Sequence, residues 1–454
     1  MKIAVLVAEI GSTTTVVNAF DGIGGPCPRF LGQGQAFTSV LGGDVTVGLR
    51  GAVEDLRRHL GVSEISWGEM FATSSAAGGL RMSVHGLVYD MTVRAAKEAA
   101  LGAGGILKHV TAGKMRRTDL KKIVEIRPNI VLVAGGVDYG ERETALHNFE
   151  LVADLGLDIP VIYAGNVENH DEVREIAEEK NLRLYLVENV YPRVDQLNVE
   201  PTRAVIQQVF EEHIIHAPGM GTVRDMVDGP ILPTPGAVME AAKVLKEAIG
   251  DLVVFDVGGA TTDVHSVTEG SEEIGRLMVS PEPVAKRTVE GDLGVYVNMY
   301  HIVGKIGREE LLREFPDLDS LLAGARAIPD TDRSKAFVER LTETAMLTAL
   351  ERHAGTLRQL YIATGKRTIA EGKDLTAVRF IVGTGGALTR LPRHREILAR
   401  AAGYGKGMEL FPKAEARVLV DNDYIMASLG ALSRRYPDDA RKLLLNSLHW
   451  EEGA

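Results

Sequence analysis

The stretch Asp256-Val257-Gly258-Gly259-Ala260-Thr261-Thr262-Asp263 lies between two apolar runs, 252–255 and 264–267. That pattern predicts strand, tight turn and strand, with an acid at each edge of the turn and two glycines inside it. Glycine lets backbone amides approach an anion, the threonine hydroxyls add donors, and the acids can hold a cation through water. Such a turn suits a phosphate with its Mg²⁺, although a plain hairpin can carry the same glycines.

A second copy stands near the start of the chain. The apolar run 3–8 leads into Glu9-Ile10-Gly11-Ser12-Thr13-Thr14-Thr15, and Val16-Val17-Asn18-Ala19-Phe20 leads out. The two turns share an acid, a branched apolar residue, Gly, Gly or Ser, any residue, Thr and Thr. Self-similarity at this separation predicts two related lobes, each offering a phosphate-binding hairpin to a shared cleft.

With 454 residues the chain has room for two or three domains. Hydrophobic residues at 45% and charged residues at 25% fit an ordinary globular protein. A net charge of -11 argues against a mainly electrostatic nucleic-acid or acidic-membrane binder. Cys27 is the one cysteine, so neither an intramolecular disulfide nor a cysteine-held cluster can form within the chain. The first apolar run is short and ends at Glu9, and no stretch approaches a membrane span. A soluble cytoplasmic protein is expected.

Along the chain, strands are expected at 30–37 and 70–74, with a helix over 44–59 capped by Asp44. Residues 90–215 alternate helices with apolar strands, which implies a parallel sheet covered on both faces. Gly135-Gly136 and Gly165-Asn166 fall at carboxyl ends of those strands, as ligand loops or as ordinary turns. A Pro/Gly-rich passage, 218–236, reads as a crossing between lobes. A long helix is expected over 332–363, a strand at 380–382 ending in Gly383-Thr384-Gly385-Gly386-Ala387, and a closing helix over 425–435. The resulting division is 1–90 for the first lobe, completed by 420–454; 91–217 for an additional α/β region; 218–250 for the crossing and its helix; and 251–419 for the second lobe.

Phosphate hairpin, second hairpin, glycine-rich strand end and small-residue closing helix occur in the order that resembles the actin-like ATPase superfamily. That resemblance implies a two-lobed α/β fold, ribonuclease H-like, closing over Mg-ATP. Its inter-lobe crossings would match residues 290–294 and 427–431. A narrower resemblance rests on Ser75-Ala76-Ala77-Gly78-Gly79-Leu80-Arg81-Met82, Val133-Ala134-Gly135-Gly136-Val137-Asp138, Tyr163-Ala164-Gly165-Asn166, Pro233-Thr234-Pro235-Gly236 and Thr288-Val289-Glu290-Gly291-Asp292. These stretches look like the glutamate mutase L family, over nearly the whole chain. What this implies is an accessory ATPase that reactivates an adenosylcobalamin-dependent mutase by releasing damaged cofactor.

On this reading Glu9 and Asp256 hold waters of Mg²⁺, which prefers a few carboxylates plus substrate phosphates. Gly11, Ser12, Thr13, Thr14, Gly258, Gly259, Thr261 and Thr262 bind phosphates. Asp256 or Asp263 orients the attacking water, with Asp256 favoured. Gly383, Gly385 and Gly386 would contact the nucleoside. Glu9 departs from the superfamily's usual Asp, moving the carboxylate by about 1.5 Å. Rival readings are a small-molecule kinase, an ATP-assisted hydrolase subunit and a nucleotide-regulated scaffold without turnover. An electron-transfer activator would need more cysteines than Cys27.

Overall fold

A computed structural model describes residues 1–39, 44–75, 80–103, 105–214, 219–362, 365–405 and 407–451. The strands in chain order are β1 (Lys2–Ile10), β2 (Thr14–Asp21), β3 (Arg29–Phe37), β4 (Ser66–Ser74), β5 (Leu80–Gly86), β6 (Gly105–Ala112), β7 (Ile130–Val133), β8 (Val161–Tyr163) and β9 (Leu184–Leu186). They continue with β10 (Leu232–Pro233), β11 (Leu252–Val257), β12 (Thr262–Val267), β13 (Ala285–Glu290), β14 (Thr356–Ile362), β15 (Gly365–Glu371), β16 (Phe380–Thr384) and β17 (Arg417–Val420).

The chain divides into a larger unit, Met1–Ala76 with Pro218–Val279 and Val284–Ala454, and a smaller one, Ala77–Ala217 with Ser280–Pro283. The larger unit holds two five-stranded sheets, β3-β2-β1-β4-β10 and β13-β12-β11-β16-β17. In each, the first three strands are antiparallel and the last two run parallel to the first. The hairpins even share a register: Ile10 faces Thr15 as Val257 faces Thr262. This is the doubled ribonuclease H-like sheet of an actin-like ATPase fold.

Between the sheets lie two helices, Thr234–Ile249 and Met426–Ser433. Pro235 sits in the first turn of the former, where a missing amide hydrogen costs nothing. Every residue of the latter is buried, as a helix apolar on all sides requires. Val5 and Val7 of β1, Leu252 and Val254 of β11, and apolar residues of both helices form one buried cluster. A Cβ on Gly430 would overlap the Ala237 carbonyl, so glycine sets how closely these helices approach. Residues 427–431 therefore do form an inter-lobe element, but its partner is Thr234–Ile249. Residues 290–294, the other expected crossing, instead end β13 and turn beneath the second hairpin.

Several expectations shift. The helix from Asp332 stops at His353, and the β14–β15 hairpin follows it. The β-branched and aromatic residues of 356–362 favour strand over further helix. The expected lobe boundary at 90 falls back to 76, because β5 pairs with β6 and β7 of the smaller unit. Most of the turn 75–79 lies outside the described residues. The smaller unit is an all-parallel sheet, β6-β5-β7-β8-β9. Among the described residues no helix is long and apolar enough to cross a membrane.

Candidate functional site

The two hairpin turns are built alike. The Gly11 amide donates to Thr14 O at 2.9 Å, and the Gly258 amide donates to Thr261 O at 2.9 Å. At Gly11 a Cβ would stand 2.6 Å from Thr14 O, so only glycine closes that turn. Carbonyls behind each turn are tied down. Thr38 donates its amide to Thr13 O at 3.0 Å and its hydroxyl to Gly11 O at 2.8 Å. In the second lobe the amides of Val295, Tyr296 and Val297 and the Asn298 side chain take up the carbonyls of Gly258, Gly259 and Ala260. The amides of Ser12, Thr13, Gly259 and Ala260 donate to no acceptor among the described residues. Backbone donors left open at opposed turns are what an anion needs.

The turns meet. A Cβ on Gly259 would lie 3.6 Å from the Thr13 side chain. Ser12 is exposed and donates to Ser75 O at 3.2 Å, while Thr14 is half-buried at the start of β2. Thr262, expected on a phosphate, is buried and donates to Leu293 O at 2.7 Å. Its hydroxyl fastens the hairpin from behind.

Glu9 is the next-to-last residue of β1 and is 6% exposed. Its Oε1 accepts from the Ser428 amide at 2.9 Å, the Ser428 hydroxyl at 2.5 Å and Asn18 Nδ2 at 3.2 Å. The longer side chain thus reaches the first turn of helix Met426–Ser433, where unpaired amides favour a carboxylate. Asn18 Oδ1 accepts from Gln33 at 2.8 Å, and Gln33 Oε1 accepts from Arg390 of the second lobe at 3.0 Å. Burial pushes the Glu9 carboxyl up to about 7, against the Ser428 hydrogen bonds and with Asp421 and Asp256 adding to the rise.

Asp256 is the next-to-last residue of β11, beside Thr384 of β16. Burial, then Asp421, raises it to about 6. Asp263 faces it across the hairpin, is 2% exposed, and is raised to about 8 by burial and by Asp256, with Arg287 and the Thr261 hydroxyl opposing. Neither is within reach of forming, with a third group, a direct metal cage: among the described residues no trio of His, Cys, Asp or Glu could hold an ion. Mg²⁺ here would draw most of its shell from water and phosphate, and the paired acids with open amides fit that demand.

The three glycines after β16 separate in role. The missing side chain of Gly383 faces Leu398 and Leu388 in the core. Gly385, at φ 82°, packs against the Asp256 carboxylate and the Val257 backbone. Of the three, Gly386 alone has open space where a side chain would stand.

Two residues escaped the sequence reading. Asp421, just past β17, accepts from Thr384 Oγ1 at 2.9 Å, Ser447 Oγ at 2.6 Å and the amides of Ile425 and Met426. It caps the inter-lobe helix beside Glu9 and Asp256; an acid a few residues before a helix was the available signal. Tyr424, at φ 54°, sits among Glu9, Asp256 and Asp421, and burial followed by those acids raises its hydroxyl well above the ordinary value.

The three raised carboxyls set a pH dependence. Each binds its proton more tightly folded than unfolded, so folding takes up protons between about pH 4 and pH 8. These three carboxyls contribute stability that is greatest at the acid end of that window and is lost as pH rises through it. Buried His85, His265 and His353, held below the ordinary value, work in the opposite sense below about pH 6.5, so the carboxyls set the sign above it. A melting temperature higher at pH 8 than at pH 7 would contradict this.

Two like sheets, facing turns and helices between them define a two-lobed actin-like ATPase fold. The chain belongs to the family described as MutL protein, whose model matches residues 5–448. It is 35% identical over 462 residues to Protein MutL of Clostridium tetanomorphum, across 97% of this chain and 98% of that one. Among solved structures, a nucleotide-free acetone carboxylase overlays with a TM-score of 0.40 and 12% identity, over 95% of this chain and 70% of that one. A nucleotide-free diol dehydratase-reactivating factor overlays at 0.39 with 11% identity, over 96% and 100%. These overlays are loose, and the fold assignment rests on strand order and register.

Proposed function

We propose that this chain is an ATP-dependent reactivating ATPase for an adenosylcobalamin-dependent mutase of the glutamate mutase type. The opposed pair of turns, with tied carbonyls and open amides, carries the nucleotide half of this reading. Membership of the MutL protein family, with its resemblance to glutamate mutase L, supports the mutase half. Bound Mg-ATP would supply the phosphate charge and the bond to be cleaved. Ser12, Thr13, Gly259 and Ala260 offer amides to the phosphates, Asp256 orients the water, and Gly386 leaves room for the nucleoside. Glu9 has a double task. One oxygen grips Ser428 on the inter-lobe helix, and the other would be left to hold a water of Mg²⁺. Nucleotide in the cleft would thereby change how the lobes sit on that helix. Such a change alters the hold on a mutase only if the mutase binds the two lobe states unequally.

The test measures ATP hydrolysis with and without a mutase carrying inactivated cobalamin, and follows the return of mutase activity. ATP-dependent recovery is expected. Phosphate transfer to a small hydroxyl compound without any partner would replace this reading with that of a kinase.

A further inference from the structure

The smaller unit contains a surface that the nucleotide site does not use. Its strand order is β6-β5-β7-β8-β9, so the chain steps outward from β5 to β6 and then back across to β7. Sheets of this kind meet their ligands at the carboxyl ends of the strands, around that reversal. Here the loops at those ends are pinned to one another. Asn166 Oδ1 accepts the Tyr139 amide at 3.2 Å, Asp138 Oδ1 accepts the Val167 amide at 3.1 Å, and Asn189 Nδ2 bonds both Asp138 Oδ1 and Gly136 O. The Asp138 amide reaches Pro192 O at 2.9 Å, and Gly135 packs beside Leu87.

On this fixed edge apolar side chains point outward: Val88 and Tyr89 after β5, Tyr139 after β7, Val167 after β8 and Val194 after β9. Tyr139 is 80% exposed and Val194 65%. Tyr139 is also held at φ 62°, a conformation that a bulky residue keeps only when its surroundings enforce it. Rigid tyrosine projecting from a braced loop is an anchor of the kind that buries in a protein pocket. Exposed Asp90 and Asp195 adjoin Tyr89 and Val194 in no ion pair among the described residues, and the cations here are Arg193, exposed beside Val194, and Lys97, over the Tyr89 ring.

We infer that this edge is the docking surface for the partner protein, and that it fits an apolar recess with Lys or Arg set opposite Asp90 and Asp195 and an acid set opposite Arg193. The inference rests on the mutase reading above and commits to the mutase as occupant. The chain leaves the larger unit just after Ser75, whose amide donates to Ile10 O at 3.0 Å and whose carbonyl accepts from Ser12 of the first turn.

The test uses the full chain and a purified adenosylcobalamin-dependent glutamate mutase as the probe. Tyr139→Asp combined with Val194→Asp should weaken mutase binding by about 10-fold or more, as loss of buried anchors does, with basal ATP hydrolysis unchanged. In the wild-type complex, amide exchange at 87–91, 137–142 and 193–195 should slow. Unchanged affinity in the double variant, or unchanged exchange in a formed complex, overturns the docking surface alone. Failure of the wild-type chain to bind the mutase overturns both the surface and the mutase reading.

Discussion

Asp256→Ala is expected to lower ATP hydrolysis by about 10²- to 10³-fold, the usual effect of removing a group that positions the attacking water. The fold should survive it. Asp256 is an acid held in its protonated form up to about pH 6 by burial and by Asp421, so its loss relieves an unfavourable charge. Phosphate release per chain, measured alongside the melting temperature, separates chemistry from unfolding. Asp263 is the competing candidate, but it is 2% exposed, whereas Asp256 is half-buried at the turn. An acid enclosed in the sheet has no attacking water within reach to orient. If Asp256→Ala hydrolyses ATP at the wild-type rate, the proposed water-orienting role fails.

Gly385→Ala should be nearly as damaging, by a different route. At φ 82° an alanine costs about 1–2 kcal/mol of backbone strain. Its methyl group would also overlap the Asp256 carboxylate and press on the Val257 backbone, and overpacking of this kind costs about 1–3 kcal/mol more. Hydrolysis should fall by about 10²-fold or more, because a reacting group moved by about 1 Å loses that much. The melting temperature should drop by several degrees. Gly386→Ala is the informative contrast, since nothing crowds that position. It should fold normally and change nucleotide affinity, measured by calorimetric titration. Equal behaviour of the two variants would mean that Gly385 serves the nucleoside after all.

How much of this was legible before folding depends on how local each feature is. The duplicated turns could be read because strand alternation, an acid, glycine and threonine lie within one short stretch and recur. The register that pairs Ile10 with Thr15 and Val257 with Thr262 follows from the turn length itself. By contrast, the strand β13 hid behind Lys286, Arg287 and Glu290, whose charges look like a surface loop. Arg287 is nevertheless fully buried, opposite His265 of β12. The division of labour among Gly383, Gly385 and Gly386 was equally hidden. Adjacent glycines look alike in sequence, and only the position of Leu398, Asp256 or open space tells them apart.

The sequence by itself determined the two-lobed α/β fold and the family, because the repeated hairpin and the closing helix are patterns of neighbouring residues. Only the tertiary structure decided what those patterns do to each other. It set Glu9 on the helix carrying Ser428, across 419 positions of chain, and placed Asp421 beside Glu9 and Asp256. It also turned Thr262 from the phosphate side to the rear of its hairpin. The physical reason is that a carboxylate or hydroxyl takes its role from the donors and charges around it. Those neighbours come from strands and helices that the chain brings together only when two sheets close on the helices between them.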